Sequence, residues 1–166
     1  MTAALLVAFG LLTPQSDAVF AAQTELQGLY DEISAASQQF ATADDIDQFH
    51  SVFYTPDWVF VDGSGQKETW QQARVRAIQA LTAPPMDSMG QPIQKLTLLP
   101  DGATVTVNVV TVRTVVDAEG RYGRAGGTHT LTETTPFRDR WVRSGDKWML
   151  KSREQIGKPI VAVDKS

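Results

Sequence analysis

The chain of 166 residues contains no cysteine and only two histidines, His50 and His129. Without thiols there is no disulfide framework and no cysteine nucleophile, and two imidazoles are few for a transition-metal site. We therefore expect neither a metal site nor a cofactor. Low-complexity tracts and linker-like segments are also absent, and 42% of the residues are hydrophobic. These features favour one domain around one buried core.

Basic residues are missing from the first 66 positions of the chain. All 15 Lys and Arg residues lie from Lys67 onward, and the formal net charge is -4. Because nucleic-acid binding depends on Lys and Arg at the phosphates, this balance argues against a nucleic-acid partner. The uneven placement predicts an acidic helical layer packed on a more basic sheet. The alternative interpretation is a sheet that attracts an anionic ligand.

The apolar run at residues 3–12, AALLVAFGLL, has the length of the hydrophobic part of a signal peptide. It is too short to cross a bilayer of about 30 Å as a helix. The following TPQSDAVFA combines a helix breaker with small residues, which predicts cleavage after Ala21. We expect residues 1–21 to be a signal peptide and residues 22–166 to form one periplasmic or secreted domain without an integral membrane segment. A buried N-terminal helix is the alternative, since no basic residue precedes the run.

Hydrophobic periodicity predicts three helices in the first half of the chain. The first extends from Thr24 to about Ala43. The second is capped by Asp44 or Asp45 and is stopped by Pro56. The third covers residues 70–81.

One strand is predicted between the second and third helices. Trp58, Phe60 and Asp62 alternate with two valines, as side chains on opposite faces of a strand do. A turn at Gly63-Ser64-Gly65 follows directly. The three alternating side chains are therefore expected to share one face.

The chain after Pro92 favours a sheet. Runs rich in Val and Thr are separated by turn signals, and Pro136 predicts an edge or a bulge in the third run. Only the preceding helices are apolar enough to cover such a sheet. We therefore predict an α+β domain with three N-terminal helices packed on one side of a curved antiparallel sheet. The predicted strands are Ile93–Leu99, Ala103–Val116, Thr128–Arg143 and Lys147–Ile156.

The order of these elements and two motifs resemble the NTF2-like superfamily of cone-shaped, cystatin-like domains. The motifs are DDIDQFHSVFYTPDWVFVDGSG at residues 44–65 and PFRDRWVRSGDKWMLKSREQ at residues 136–155. Within the superfamily, the chain is most similar to SnoaL-like and DUF4440-type members, over Thr24 to Gln155. The superfamily includes isomerases, cyclases, dehydratases and pure binding domains, so function has to be argued from the site.

The resemblance implies two acidic residues inside the cone. Ketosteroid isomerases of this superfamily carry a general base at the end of the first strand, a place similar to Asp62. Their second acid, a protonated hydrogen-bond donor, occupies a place similar to Asp139. At the position of their first-helix Tyr this chain has Ser37, and Tyr30 lies two turns earlier. The oxyanion hole is then incomplete, which argues against steroid isomerisation.

Aromatic side chains predict a ligand cavity around the two acids. By alternation, Phe137 and Trp141 share a face with Asp139 in the same way that Trp58 and Phe60 do with Asp62. Two structural alternatives stand beside the catalytic one: Asp62 bonds to its own turn, and Asp139 pairs with Arg153 or Arg140. The predicted ligand contacts are Trp58, Phe60, Phe137, Trp141 and, at the rim, His50.

Two functions from different classes therefore stay open. The first is an exported domain that binds a small, largely apolar molecule or mediates protein association, including a homodimer through the sheet, without catalysis. The second is a SnoaL-like isomerase, cyclase or lyase with Asp62 as general base and Asp139 as acid or orienting group.

Overall fold

The computed structural model describes residues 14–84, 86–122 and 125–164. Within these ranges the chain forms three helices, α1 (Pro14–Ser37), α2 (Ala43–Phe53) and α3 (Trp70–Ala80). The strands in the same ranges are β1 (Tyr54–Val61), β2 (Lys67–Thr69), β3 (Ser88–Gly90), β4 (Ile93–Leu99), β5 (Gly102–Asp117), β6 (Gly127–Ser144), β7 (Lys147–Gln155) and β8 (Ile160–Asp164).

The first helix packs one face against the sheet. Its buried side chains recur every three or four residues, as one face of a helix requires: Ala22, Leu26, Tyr30 and Ile33. The helix begins earlier than predicted and ends at Ser37 instead of near Ala43. The apolar run at residues 3–12 lies outside the described residues, and cleavage after Ala21 stays a prediction.

The second and third helices lie where periodicity predicts them, but the cap of α2 differs. Thr42 caps α2: its hydroxyl accepts from the backbone N–H of Asp45, and the Asp45 carboxylate accepts from the backbone N–H of Thr42 at 2.8 Å. The predicted cap at Asp44 or Asp45 is therefore wrong, because Asp45 occupies the third helical position and reaches back to the cap. Pro56 lies within β1, and the helix ends before it at Phe53.

A long hairpin of β5 and β6 forms the middle of the sheet. Along its free edges, β4 and β3 pair with β5 in succession, and β7 and β8 pair with β6. At the far side β1 runs parallel to β7 and antiparallel to β2. The α+β class with helices on the sheet is confirmed, but the sheet is mixed, not antiparallel throughout. Alternation cannot distinguish the two directions, because it is the same in both.

Pro136 lies where the partner of β6 changes. Pairing with β7 ends at Phe137, and pairing with β8 begins at Thr134. Proline has no N–H to donate, so it fits the gap between the two partners. The bulge lies in β7, where Lys151 is the added residue between Leu150 and Ser152, opposite Trp141 and Arg140 of β6.

The core lies between α1 and the inner face of the sheet. The helix residues contact a buried strip from the three central strands: Ala103, Val105, Val107, Trp141, Trp148 and Leu150. In the described part of the chain, no helix is both long and apolar enough to span a membrane.

Candidate functional site

A pocket of about 420 Å³ opens between the three helices and the sheet. Small aliphatic side chains of α3 form one wall, and Arg153 of β7 lies at the sheet side. Half of the remaining lining residues are aromatic. The aromatic lining residues are Phe40, Phe49, Tyr54, Trp58 and Trp70.

The aromatic rings of this pocket support one another. Tyr54 stacks on Trp58 with ring centroids 5.2 Å apart, and Phe49 meets Tyr54 edge-on at 5.4 Å. On the other side, His50 stacks on Trp70 at 3.8 Å. Such contacts hold the rings in place, so the pocket has a preformed apolar wall.

The sheet side of the pocket ends in a buried ion pair. Arg153 donates through Nε to one carboxylate oxygen of Asp139 at 2.9 Å and through Nη2 to the other at 2.7 Å. Nη2 also donates to the side-chain carbonyl of Gln91 at 2.7 Å. Because Asp139 is fully buried and the pairing is bidentate, the guanidinium is held in one orientation.

Tyr30 completes this network from the first helix. Its hydroxyl donates to Asp139 at 2.7 Å and accepts from the indole N–H of Trp141 at 2.8 Å. A first-helix phenol, Tyr30, thus bonds Asp139, and the correspondence of Ser37 with the isomerase phenol stays a prediction. Tyr30 lies on the same buried helix face as Leu26 and Ile33, whereas Ser37 donates to the backbone carbonyl of Ser34.

Burial keeps both phenols of this region protonated. Desolvation, with a further contribution from the Asp139 charge, raises the pKa of Tyr30 well above its ordinary value. Desolvation also raises the pKa of Tyr54 to about 12, although the Arg153 charge acts in the opposite direction. Each hydroxyl is therefore a neutral hydrogen-bond donor at physiological pH.

Asp62 lies in the turn after β1 and makes local hydrogen bonds. Its Oδ1 accepts from the backbone N–H groups of Ser64 and Gln66 at 2.8 and 2.9 Å and from the Ser64 hydroxyl at 2.6 Å. These bonds, the Ser64 hydroxyl first, lower the pKa of Asp62 below its ordinary value. The contacts agree with the alternative of a turn residue, and a lowered pKa makes the carboxylate a weaker base.

The other predicted site residues lie at different depths. Trp58 lines the pocket. The ring centroid of Phe60 lies 6.4 Å from that of Trp58 and 6.2 Å from that of Phe137. The guanidinium carbon of Arg153 lies over the Phe137 ring, 5.2 Å from its centroid. Trp141 is fully buried in the core.

His50 lies in the aromatic wall on the helical side of the site. Burial lowers its pKa, and the nearby Asp47 charge acts in the opposite direction. The imidazole is buried and is stacked on Trp70, which lines the pocket. This placement supports a packing role for the ring.

Comparisons with known proteins identify the fold. No family model matches the chain, and no curated protein matches its sequence. An NTF2-like protein with a cystatin-like fold from Novosphingobium aromaticivorans has a TM-score of 0.53 and 15% identity, over 87% of this chain and 90% of that one. The fold is NTF2-like.

Two further solved structures are similar to the chain. A conserved protein from Planctomyces limnophilus has a TM-score of 0.63 and 15% identity, over 85% of this chain and 99% of that one. LinA has a TM-score of 0.53 and 11% identity, over 88% of each chain. At such identities the similarity establishes the NTF2-like fold alone, which confirms the predicted fold. The DUF4440-type grouping stays a prediction.

Sequence reasoning did not assign three residues of this NTF2-like site. The sequence predicts Arg153 only as an ion-pair partner and assigns no site role to Tyr54 or Gln91. Asp139, which the resemblance did identify, binds Arg153 and not the alternative Arg140. The spacing between Asp139 and Arg153, on neighbouring strands joined by a tight turn, was the available signal.

Among the residues that the structure describes, no three His, Asp or Glu side chains are grouped so as to hold a metal ion. The site instead combines aromatic surface with fixed hydrogen-bond donors. This combination suits an organic ligand.

Proposed function

We propose that this NTF2-like domain binds a small, largely apolar molecule in the pocket between its helices and its sheet. One observation carries the proposal: five aromatic side chains line a space of about 420 Å³ that ends at an oriented arginine. Ligand pockets commonly measure about 300 to 1,000 Å³ and combine apolar walls with a few fixed polar groups.

The contacts of the two acidic residues favour binding over the isomerase, cyclase or lyase alternative. A general base must reach the proton that it abstracts. Both oxygens of Asp139 already accept hydrogen bonds from Arg153, and one also accepts from Tyr30. Asp62 is engaged by its own turn. These engagements support a site that recognises a ligand without proton transfer by either acid.

The proposal is tested by filling the pocket from one side. Ala77 lies on the pocket face of α3, so Ala77→Phe places a ring in the ligand space. Val75 lies on the same helix and is 54% exposed, which makes Val75→Phe a matched control. Isopropylbenzene serves as an apolar probe, and binding is followed by saturation-transfer NMR and by amide shifts in a titration.

We expect saturable binding to the native chain and to Val75→Phe, with shifts centred on the pocket residues. Ala77→Phe should lose that binding while keeping its circular dichroism spectrum. Equal binding by Ala77→Phe, or shifts confined to another part of the surface, would contradict the proposal.

A further inference from the structure

Besides the indole N–H of Trp58, which is buried without a partner, two polar side chains of the aromatic pocket have donors that make no hydrogen bond within the described residues. The Tyr54 hydroxyl has no hydrogen-bond partner among the described residues. Arg153 uses Nε and Nη2 for Asp139 and Gln91, and its Nη1 likewise has no partner in the described ranges. Both residues line the pocket and come from different strands, β1 and β7. A ligand that enters the pocket therefore meets a phenol and a guanidinium together.

The charge at this end of the pocket is already balanced. The positive charge of Arg153 is matched by Asp139, which is fully buried and bonded to it through both carboxylate oxygens. Arg76, the other cation of the lining, is paired with Glu68 at 2.6 Å and is largely exposed. An anionic ligand would thus bring an unmatched negative charge into an apolar site, which is costly.

A purely hydrocarbon ligand would add no charge but would leave the hydrogen-bond donors of the pocket unsatisfied. It would cover the Tyr54 hydroxyl and Arg153 Nη1 without offering an acceptor, and buried donors without acceptors reduce affinity. A neutral oxygen acceptor satisfies the donors and leaves the charge balanced. Tyr54 is suited to this role because its ring is held by stacking on Trp58.

We propose that the ligand carries a neutral carbonyl oxygen, as in a ketone, ester or amide, held by the Tyr54 hydroxyl and Arg153 Nη1. The apolar remainder of the ligand packs on the aromatic wall. This inference rests on the proposed function, and it names the chemical class that the pocket selects.

Three probes of nearly equal shape separate the possibilities. Acetophenone offers a neutral carbonyl, isopropylbenzene offers no acceptor, and benzoate offers a charged one. Dissociation constants are measured by NMR titration of the native chain and of Tyr54→Phe, which removes one hydroxyl and keeps the ring. Tyr122→Phe, which lies outside the pocket, is the control for loss of a phenol.

We expect acetophenone to bind more tightly than either of the other probes. Tyr54→Phe should weaken acetophenone binding about three- to tenfold, which is the usual effect of one neutral hydrogen bond. Isopropylbenzene binding should not weaken in this variant, because the ring is kept and a donor that isopropylbenzene leaves unsatisfied is removed. Arg153→Lys, which keeps the charge beside Asp139 but not the planar fork, should also weaken acetophenone binding while its melting curve reports the fold.

An unchanged acetophenone affinity in Tyr54→Phe would overturn the inference, and so would benzoate binding more tightly than acetophenone. If isopropylbenzene binds in the pocket and acetophenone binds no better, the carbonyl inference fails and the proposed function stands. If none of the three probes binds, both fail.

Discussion

Asp139 is an acidic residue buried beside the hydrophobic core. Its side chain is fully buried, and its oxygens accept from Arg153 and Tyr30. A buried charge is tolerated when it is paired and its remaining lone pairs are satisfied. The network holds Arg153 at the pocket, so the fold and the proposed ligand site depend on the same side chains.

Loss of the Tyr30 hydroxyl should destabilise the domain. Tyr30→Phe removes a donor from Asp139 and leaves the indole N–H of Trp141 without its acceptor. We expect the free energy of unfolding to fall by about 1 to 3 kcal/mol, the usual cost of unsatisfied buried polar groups. Urea denaturation measures the change, and Tyr122→Phe, at a half-exposed tyrosine, is the control. Equal stability of Tyr30→Phe and the native chain would contradict this role.

At the scale of elements, the turn between β1 and β2 is held by one side chain. Asp62 accepts from the backbone N–H groups of Ser64 and Gln66, and Gly65 adopts a φ of 87° that disfavours other residues. The turn fixes the register of β2 beside β1. The Asp62 carboxylate therefore stabilises the turn between β1 and β2.

Replacement of Asp62 should lower stability without changing ligand affinity. Its folded pKa lies below the ordinary value of 3.8, so the stabilisation is present above pH 3.8 and is lost as the pH falls through the lowered folded pKa. Thermal melts of Asp62→Asn and the native chain should therefore differ at pH 7 and converge in strong acid. The probe titrations should be unaltered. A large loss of affinity in Asp62→Asn would instead support a role at the pocket.

Long elements could be predicted from the sequence, and short ones could not. Periodicity predicts β4 to β7 within a few residues, because each strand carries its own alternation and turn signals. The strands β2, β3 and β8 were missed. They have three to five residues and are defined by long-range pairing with β1, β5 and β6. So short a segment has no periodicity of its own to detect.

In the whole molecule, the uneven distribution of charged residues along the sequence leads to an ion pair between the helices and the sheet. Arg143 of β6 contacts Glu25 of α1 at 2.8 Å. Another pair, Arg74 with Asp47, joins two helices instead of a helix and the sheet. The predicted acidic helical layer and basic sheet thus describe part of the pairing. A homodimer through the sheet stays a prediction.

Export with cleavage after Ala21 should leave the domain intact. The side chains of residues 16–21 are exposed or half-buried, and from residue 16 onward the first buried side chain is Ala22. A chain that begins at Ala22 should therefore melt within a few degrees of the full chain. Intact-mass measurement of the exported protein from a bacterial host should give the mass of residues 22–166. An uncleaved chain, or unfolding of the shortened one, would contradict the prediction.

The order of the long elements could be predicted from local periodicity and turns, and the motifs pointed to the NTF2-like fold and to Asp139 through the resemblance. Three features became known only from the folded structure: the direction of β1, the partner of Asp139, and the presence of Tyr54 and Arg153 in one pocket. Those features depend on strand pairing between residues far apart in the chain. Local patterns place a side chain on a face, but only packing decides which other faces it meets.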